Sequence, residues 1–320
     1  MRRHEKNPII TRKDIPEVKP QLVDVSSVFN PGAVKFKNQY VLLLRVQNRG
    51  RETYTLRANS PDGVHFQVNK EIIRFNGIEK IQEPIYHCYD MRITPLEGRY
   101  YIMFAMDMDG KCSLGLGVTD DFVNYEFLGI VGNGDIRNGV LFPEKINGKY
   151  ARLDRPNKVQ LEGGPSTGNA ICLSFSEDLL SWEESGKVIE GRWHFWDELI
   201  GSGPPPVKTK HGWLHIYHGM AMHYTPIYQA GVLLLDLENP QKVIGRCRYN
   251  LLEPRELYET TGQVPNVVFP SGMITENMDE QGFAADDSQI NIYYGAADTS
   301  VGLAITSVKK LVDECLNNPV

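Results

Sequence analysis

Lys37-Asn38-Gln39-Tyr40-Val41-Leu42-Leu43 is a polar turn that feeds at once into an aromatic-led apolar run. A turn residue followed by β-branched and aromatic residues is a hairpin signal. The same arrangement returns at Glu97-Gly98-Arg99-Tyr100-Tyr101-Ile102-Met103, at Asn147-Gly148-Lys149-Tyr150, at His211-Gly212-Trp213-Leu214-His215-Ile216-Tyr217, and at Asp287-Ser288-Gln289-Ile290-Asn291-Ile292-Tyr293. A second segment accompanies each copy: a small or apolar strand that ends near Ser, Thr or Asp. It is seen at Leu56–Gly63, Leu116–Phe122, Ile171–Leu179, Val232–Leu237 and Leu303–Ser307. Self-similarity of this kind, with several short strands per unit, is the mark of a β-propeller. Five copies in 320 residues leave about 64 residues for each blade, enough for four strands and long loops. The reading is all-β: a five-bladed β-propeller over residues 1–320 as one catalytic domain, closed by a short C-terminal helix at Val308–Leu316. A β-sandwich is the competing arrangement, since hairpins build both.

Composition narrows the function. Hydrophobic residues make up 41% of the chain and charged residues 23%, which supports a packed core rather than disorder. A net charge of −6 argues against nucleic acid or an anionic membrane as partner. No run approaches the ~18 apolar residues of a bilayer span, and no apolar stretch follows the basic start of the chain as in a signal peptide. The five cysteines are scattered, with no CxxC pair, so neither a zinc site nor a disulfide framework is expected. These features together predict a reduced, cytoplasmic protein without a metal or other cofactor. Homo-oligomerisation stays open.

Four clusters carry residues suited to chemistry. In Tyr86-His87-Cys88-Tyr89-Asp90-Met91-Arg92, an acid lies among aromatics, where it can serve as a general acid or simply pair with Arg92. Arg137 and Arg155 flank an apolar strand and its hairpin. Guanidinium forks at such positions suit phosphate or carboxylate, or else structural pairing with Asp135 or Asp154. The Gly- and Pro-rich stretch Trp196–Pro206 makes a rigid loop leading toward His218, at a strand end, which can contact an anion or be structural. Asp298 precedes the last strand beside Tyr293 and Tyr294, as in a sugar site or a plain turn. No P-loop, GxGxxG, HExxH or GxSxG pattern is present. Acids, paired arginines and aromatics on a propeller point to carbohydrate chemistry.

At these clusters the chain resembles glycoside hydrolase family 130, the β-mannoside phosphorylases and related β-mannosidases. The resemblance rests on Phe29-Asn30, Tyr89-Asp90-x-Arg92, Arg137–Pro143, Arg155-Pro156, Ile216–Gly219, Val264–Pro270 and Tyr293–Thr299, collinear over nearly the whole chain. It implies a five-bladed propeller, with Asp90 as the acid that protonates the glycosidic oxygen through a mannose hydroxyl. It also implies Arg137, Arg155 and His218 as phosphate contacts, and Asn30, Arg45, Arg51, Tyr89 and Asp298 around the mannosyl unit. Inorganic phosphate would be the co-substrate, and an oligosaccharide the partner. The chain departs from the family pattern in three places. Leu199 stands where phosphorylases usually carry Lys, Pro31 stands where many members have Ser, and the Asp-Asn-Gly-His run after the Arg-Pro pair is missing.

These departures bear on the reaction. An inverting hydrolase needs a second carboxylate about 6.5–9.5 Å from the acid, with water between them. Glu198, beside Leu199, is the candidate base. A phosphorylase needs no base, because phosphate is already an anionic nucleophile, but it needs cations to hold it. With Arg137, Arg155 and His218 all retained, the expected activity is inverting phosphorolysis of β-mannosides to α-mannose 1-phosphate. An inverting β-mannosidase is the first alternative, and a non-catalytic sugar-binding propeller the second.

Overall fold

The computed structural model describes residues 1–132, 134–161, 166–223 and 225–317. Five antiparallel sheets follow one another along the chain, and each is a blade. Their innermost strands are Val25–Phe36, Ile85–Leu96, Ile136–Leu141, Leu199–Ser202 and Val268–Thr275. Each blade then steps outward through successive hairpins, as the turn signals require. The Lys37-Asn38 and Glu97-Gly98 turns place both residues at positive φ (46° and 61°, 50° and 78°). That geometry matches the twist of the strands they join, which is why Asn and Gly recur there.

The second repeated segment also has a physical basis. The third strands of the first three blades end in Ser60, Thr119 and Ser176. Each hydroxyl accepts main-chain N–H bonds from the following turn, and the Asp two residues on accepts two more. The N–H groups of Ser181 and Leu180 hold the Asp178 carboxyl down to about 2. An aromatic side chain follows four residues after each Asp: Phe66, Tyr125 and Trp182. Tyr125 and Trp182 are buried in the packing between blades.

The ring is closed by a strand that the sequence pattern does not announce. Arg2–Arg3 pairs with Ser300–Ser307 on the outer side of blade five. Arg3 then grips Glu259, which is fully buried, through two bonds of 2.7 Å. The same carboxylate accepts from Tyr294 Oη and from the N–H groups of Arg255 and Glu256. The C-terminal helix spans Val308–Leu316 as its periodicity predicts. It buries Val308, Leu311, Val312 and Cys315, and Ser307 caps its N-terminus.

Around the axis the innermost strands are too close for side chains at every position. A Cβ on Gly32 would lie 2.5 Å from the carbonyl oxygen of Met91 in blade two, and one on Gly272 would lie 2.6 Å from Ala33 of blade one. No helix among the described residues is long and apolar enough to cross a membrane.

Candidate active site

The innermost strands are not regular. Register slips between Phe29 and Gly32, between Tyr89 and Arg92, and between Arg137 and Val140. Inside each bulge one residue takes a positive φ: Asn30 (44°), Asp90 (57°) and Asn138 (54°). Bulges re-aim side chains, and left-handed non-glycine residues persist only where their surroundings hold them. Three blades thus turn a polar side chain toward the axis at the same level. Phe29-Asn30, Tyr89-Asp90 and Arg137-Asn138 are the sequence traces of this device.

Asp90 is held by two neighbours from blade one. Its Oδ1 accepts from Asn30 Nδ2 and from Arg45 Nη1, each at 3.0 Å. Arg45 is sandwiched between the rings of Phe29 and Tyr89, 4.5 and 4.3 Å from their centroids. The expected pairing of Asp90 with Arg92 takes a different form. Arg92 bonds the main-chain carbonyl of Asp90, not its carboxylate. Asp298, at φ 48°, belongs to the same group. Burial raises its carboxyl to about 6, opposed by Arg45 and reinforced by the charge of Asp90.

The second half of the site comes from blades three and four. Arg137 and Arg155 stand directly opposite each other in the register of the first two strands of blade three. Like charges at such a position destabilise a sheet unless something lies between them. Arg155 is only 7% exposed, and among the described residues its side chain bonds only Asn157 Oδ1, at 2.9 Å. Arg137 reaches Asp107 at 3.4 Å, a long contact to a carboxylate that Tyr89 Oη also approaches at 2.7 Å. The structural pairings considered for these arginines are absent among the described residues. Asp154 is taken by Arg152 at 2.8 Å, and Asp135 accepts from Asn157 and the Cys112 N–H.

His218 lies within its strand, Gly212–Ala221, rather than at its end. Burial, then the charges of Arg155 and Arg92, push its pKa well below 6.5, so the ring is neutral and offers hydrogen bonds instead of charge. It pairs across the sheet with Gly201, whose missing Cβ leaves room for the ring and for Asn138 Oδ1, 2.5 and 2.6 Å from where that atom would be. Arg137 Nε, Asn138 Oδ1, Arg155 Nε, His218 Nδ1 and Arg92 Nη2 are buried and have no hydrogen-bond partner among the described residues. Each such group calls for a partner that the protein itself does not supply, a water or a ligand.

Two sequence candidates stand apart. Arg51 is exposed in the turn between Gln39–Asn48 and Thr53–Ser60, where its guanidinium makes no hydrogen bond or ion pair among the described residues. Glu198, one residue before the innermost strand of blade four, forms no hydrogen bond or ion pair with the Asp90 group. Leu199, where a lysine was expected, is buried and lies two residues from Gly201 on the same face of its strand. Asn138 was missed as a site residue although it shares the bulge level of Asn30 and Asp90. Tyr228 was missed too, and its sequence surroundings carry no signal. Its ring lies 6.0 Å from that of His218, and burial raises its hydroxyl above 10. No group of three or more His, Cys, Asp or Glu side chains is placed to hold a metal ion among the described residues.

The family model for glycoside hydrolase family 130, described as beta-1,4-mannooligosaccharide phosphorylase, matches residues 1–317. The chain is 33% identical to the beta-1,4-mannooligosaccharide phosphorylase of Ruminococcus albus, covering 97% of this chain and 89% of that one. It is 32% identical to the 1,2-beta-oligomannan phosphorylase of a Thermoanaerobacter species, covering 89% and 92% respectively. Among solved structures it superposes on the beta-1,2-mannobiose phosphorylase of Listeria innocua with a TM-score of 0.84, at 26% identity and 98% of each chain.

Proposed function

The chain belongs to glycoside hydrolase family 130, and from that premise we propose that it is an inverting β-mannoside phosphorylase whose phosphate lies between Arg137 and Arg155. The observation that carries the reading is the register pairing of these two arginines, Arg137 half-buried and Arg155 buried with no carboxylate bonded to it among the described residues. In a protein with net charge −6, such a surplus of buried cation matches a multiply charged anion. The matching relatives named above are phosphorylases of β-mannosides, which supports the same conclusion.

The roles follow from position. Asn30, Arg45 and Asp298 surround the sugar whose bond is cut, and Asp90 supplies the proton through a sugar hydroxyl. Phosphate attacks the anomeric carbon from the side opposite the leaving oxygen. The C1–O bond to the acceptor sugar breaks as a C1–O bond to phosphate forms. The proton ends on the leaving oxygen, and α-mannose 1-phosphate is released. Arg137 and Arg155 neutralise the nucleophile, while neutral His218 and Asn138 add hydrogen bonds that fix its orientation. With two guanidiniums facing each other, loss of the lysine at position 199 removes one cation without emptying the anion site.

The test is product analysis on β-1,4- and β-1,2-mannobiose and on mannosyl-glucose, with and without inorganic phosphate. Mannose 1-phosphate that forms only with phosphate is expected. Free mannose at the same rate without phosphate would overturn the reading in favour of hydrolysis.

A further inference from the structure

Asp298 lies in the hairpin turn between Gln289–Ala296 and Ser300–Ser307, where Ala297 and Asp298 in succession take positive φ (46° and 48°). Asp tolerates the left-handed region, whereas alanine, with a Cβ and no polar group to bond its own backbone, does not. The conformation is therefore imposed from outside the turn. The loop 261–267 imposes it. Ala297 donates its N–H to the Val267 carbonyl at 3.0 Å, and its own carbonyl accepts from the Val264 N–H at 3.3 Å. Thr299 Oγ1 accepts from the Gln263 N–H at 2.9 Å and donates to the Ala297 carbonyl at 2.8 Å. A Cβ on Gly262 would lie 2.3 Å from that same carbonyl, so the loop closes on the turn at a distance that only glycine permits.

Residues 261–265 are exposed, so the order of the loop depends on its two ends. At one end Val267 is buried and leads into the innermost strand of blade five. The same Val267 returns its N–H to the main-chain carbonyl of Glu259 at 3.0 Å. Glu259 anchors the other end through its fully buried carboxylate. Burial raises that carboxyl, but Arg3 and the N–H groups of Arg255 and Glu256 outweigh burial and hold it below the usual range, so it is ionised. Arg3 is the cation bonded to it among the described residues, and Arg3 Nη2 also donates to the Glu253 carbonyl at 2.5 Å. Asn7 fixes the segment that carries Arg3 by exchanging bonds with the Leu303 main chain, at 3.0 and 2.8 Å. A buried carboxylate that loses its cation is not tolerated where it stands. Contact therefore runs unbroken from the strand Arg2–Arg3 to Glu259, from Glu259 to Val267, and from Val267 to the turn that carries Asp298.

We propose that Arg3 and Glu259 are positioning residues for the sugar end of the site. Through the loop they hold the Ala297-Asp298 turn in the left-handed conformation that fixes the direction of the Asp298 side chain. The inference rests on the assignment of Asp298 to the sugar and deepens it, because sugar recognition then depends on an ion pair that has no assigned contact with substrate. The anion site has separate supports: the register of blade three fixes Arg137 and Arg155, and that of blade four fixes His218. Damage to the Arg3–Glu259 pair should fall on the mannoside and spare the phosphate.

The experiment measures kcat and the KM values for mannobiose and for phosphate in the wild type, Arg3→Ala and Arg3→Lys, at a temperature where melts show all three folded. Arg3→Ala should raise the mannobiose KM about tenfold and leave the phosphate KM within about twofold of wild type. Arg3→Lys should recover part of the loss, since the ammonium restores the charge without the planar fork. Unchanged KM values with a lower Tm would make the pair a plain stabiliser and overturn the proposal, and so would equal rises in both KM values. Should Arg3→Ala fail to fold, Tyr294→Phe removes one bond to Glu259 and keeps the ring. The same selective rise, about threefold, is then expected, and its absence overturns the proposal. Hydrogen exchange without substrate separates this inference from the catalytic reading. In whichever variant folds, the Val267 and Ala297 amides should exchange about tenfold faster while those of blades two and three stay as in the wild type. If the wild type cleaves no β-mannoside, the mannoside reading fails and exchange still decides the positioning role. Faster exchange confined to those amides supports it, and uniform or unchanged rates overturn it.

Discussion

Arg92 donates from Nη1 to the main-chain carbonyl of Asp90 at 2.8 Å, and from Nε to the carbonyl of Gly203 in blade four at the same distance. One buried guanidinium therefore ties the bulge that carries the acid to the innermost strand two blades away. Asp90 sits at φ 57°, a conformation its surroundings must enforce. Its main-chain carbonyl is held by Arg92, which is 1% exposed and brought to about 10 by burial, with the Asp90 charge working against the drop.

Arg92 is accordingly a positioning residue. Arg92→Lys keeps the charge and loses the fork, and Arg92→Gln loses both. A displacement of the acid by about 1 Å can cost on the order of 100-fold in rate. Both variants should lower kcat by one to two orders of magnitude, with KM for phosphate in the lysine variant staying within roughly threefold of wild type. Initial rates over a phosphate titration separate the two parameters. A rise in phosphate KM that matches the fall in kcat would move Arg92 into the anion site instead.

Local signals were legible in the sequence, and contacts made over long chain distances were not. The Lys37-Asn38 and Glu97-Gly98 turns announce themselves, because only a few residue types accept two successive positive φ angles. Val308–Leu316 shows its helical period directly. The five repeats yield five blades because each hairpin is a local decision. Arg2–Arg3 carries no apolar pattern, and its pairing with Ser300–Ser307 is decided by main-chain bonds across almost the whole chain. The pairing of Asp90 with Arg92, one of the two readings of that cluster, takes another form for a similar reason. Arg92 is two residues away in sequence, but the bulge turns its fork to the backbone and leaves the carboxylate to Arg45. The two arginines proposed to hold phosphate were legible as residue types. Their facing register depends on the bulge after Arg137 and the length of the hairpin beyond it, which no local motif encodes.

That register gives the second prediction. Among the described residues the Arg155 side chain bonds Asn157 alone, so Arg155→Ala removes little of the internal ion pairing and most of one proposed phosphate contact. A charge-assisted hydrogen bond is worth about 1.5–3 kcal/mol, so KM for phosphate should rise roughly 10–150-fold. Arg155→Lys should recover part of this, since it restores the charge without the planar fork. Thermal melts run beside the kinetics separate the explanations. A large drop in Tm with phosphate KM unchanged would make Arg155 a structural residue.

Asp298 gives a prediction in which stability depends on pH. Its carboxyl titrates near 6 in the folded protein because burial disfavours the charged form, against 3.8 for an ordinary Asp. The folded state therefore holds this proton more tightly than the unfolded chain. The associated stability is fully present below about pH 4 and is lost as pH rises through 6. Above that point the protein keeps a charged carboxylate in a poorly hydrated place beside Asp90. Asp298→Asn should leave Tm almost unchanged near pH 4 and raise it by on the order of a few degrees near pH 7.5. Scanning calorimetry of both proteins across that range is the check. A Tm difference that is the same at both ends would show that the carboxyl keeps its ordinary affinity for the proton. Activity of the variant is expected to fall at every pH, because the residue is assigned to the sugar site. Only the melting temperatures therefore bear on the proton.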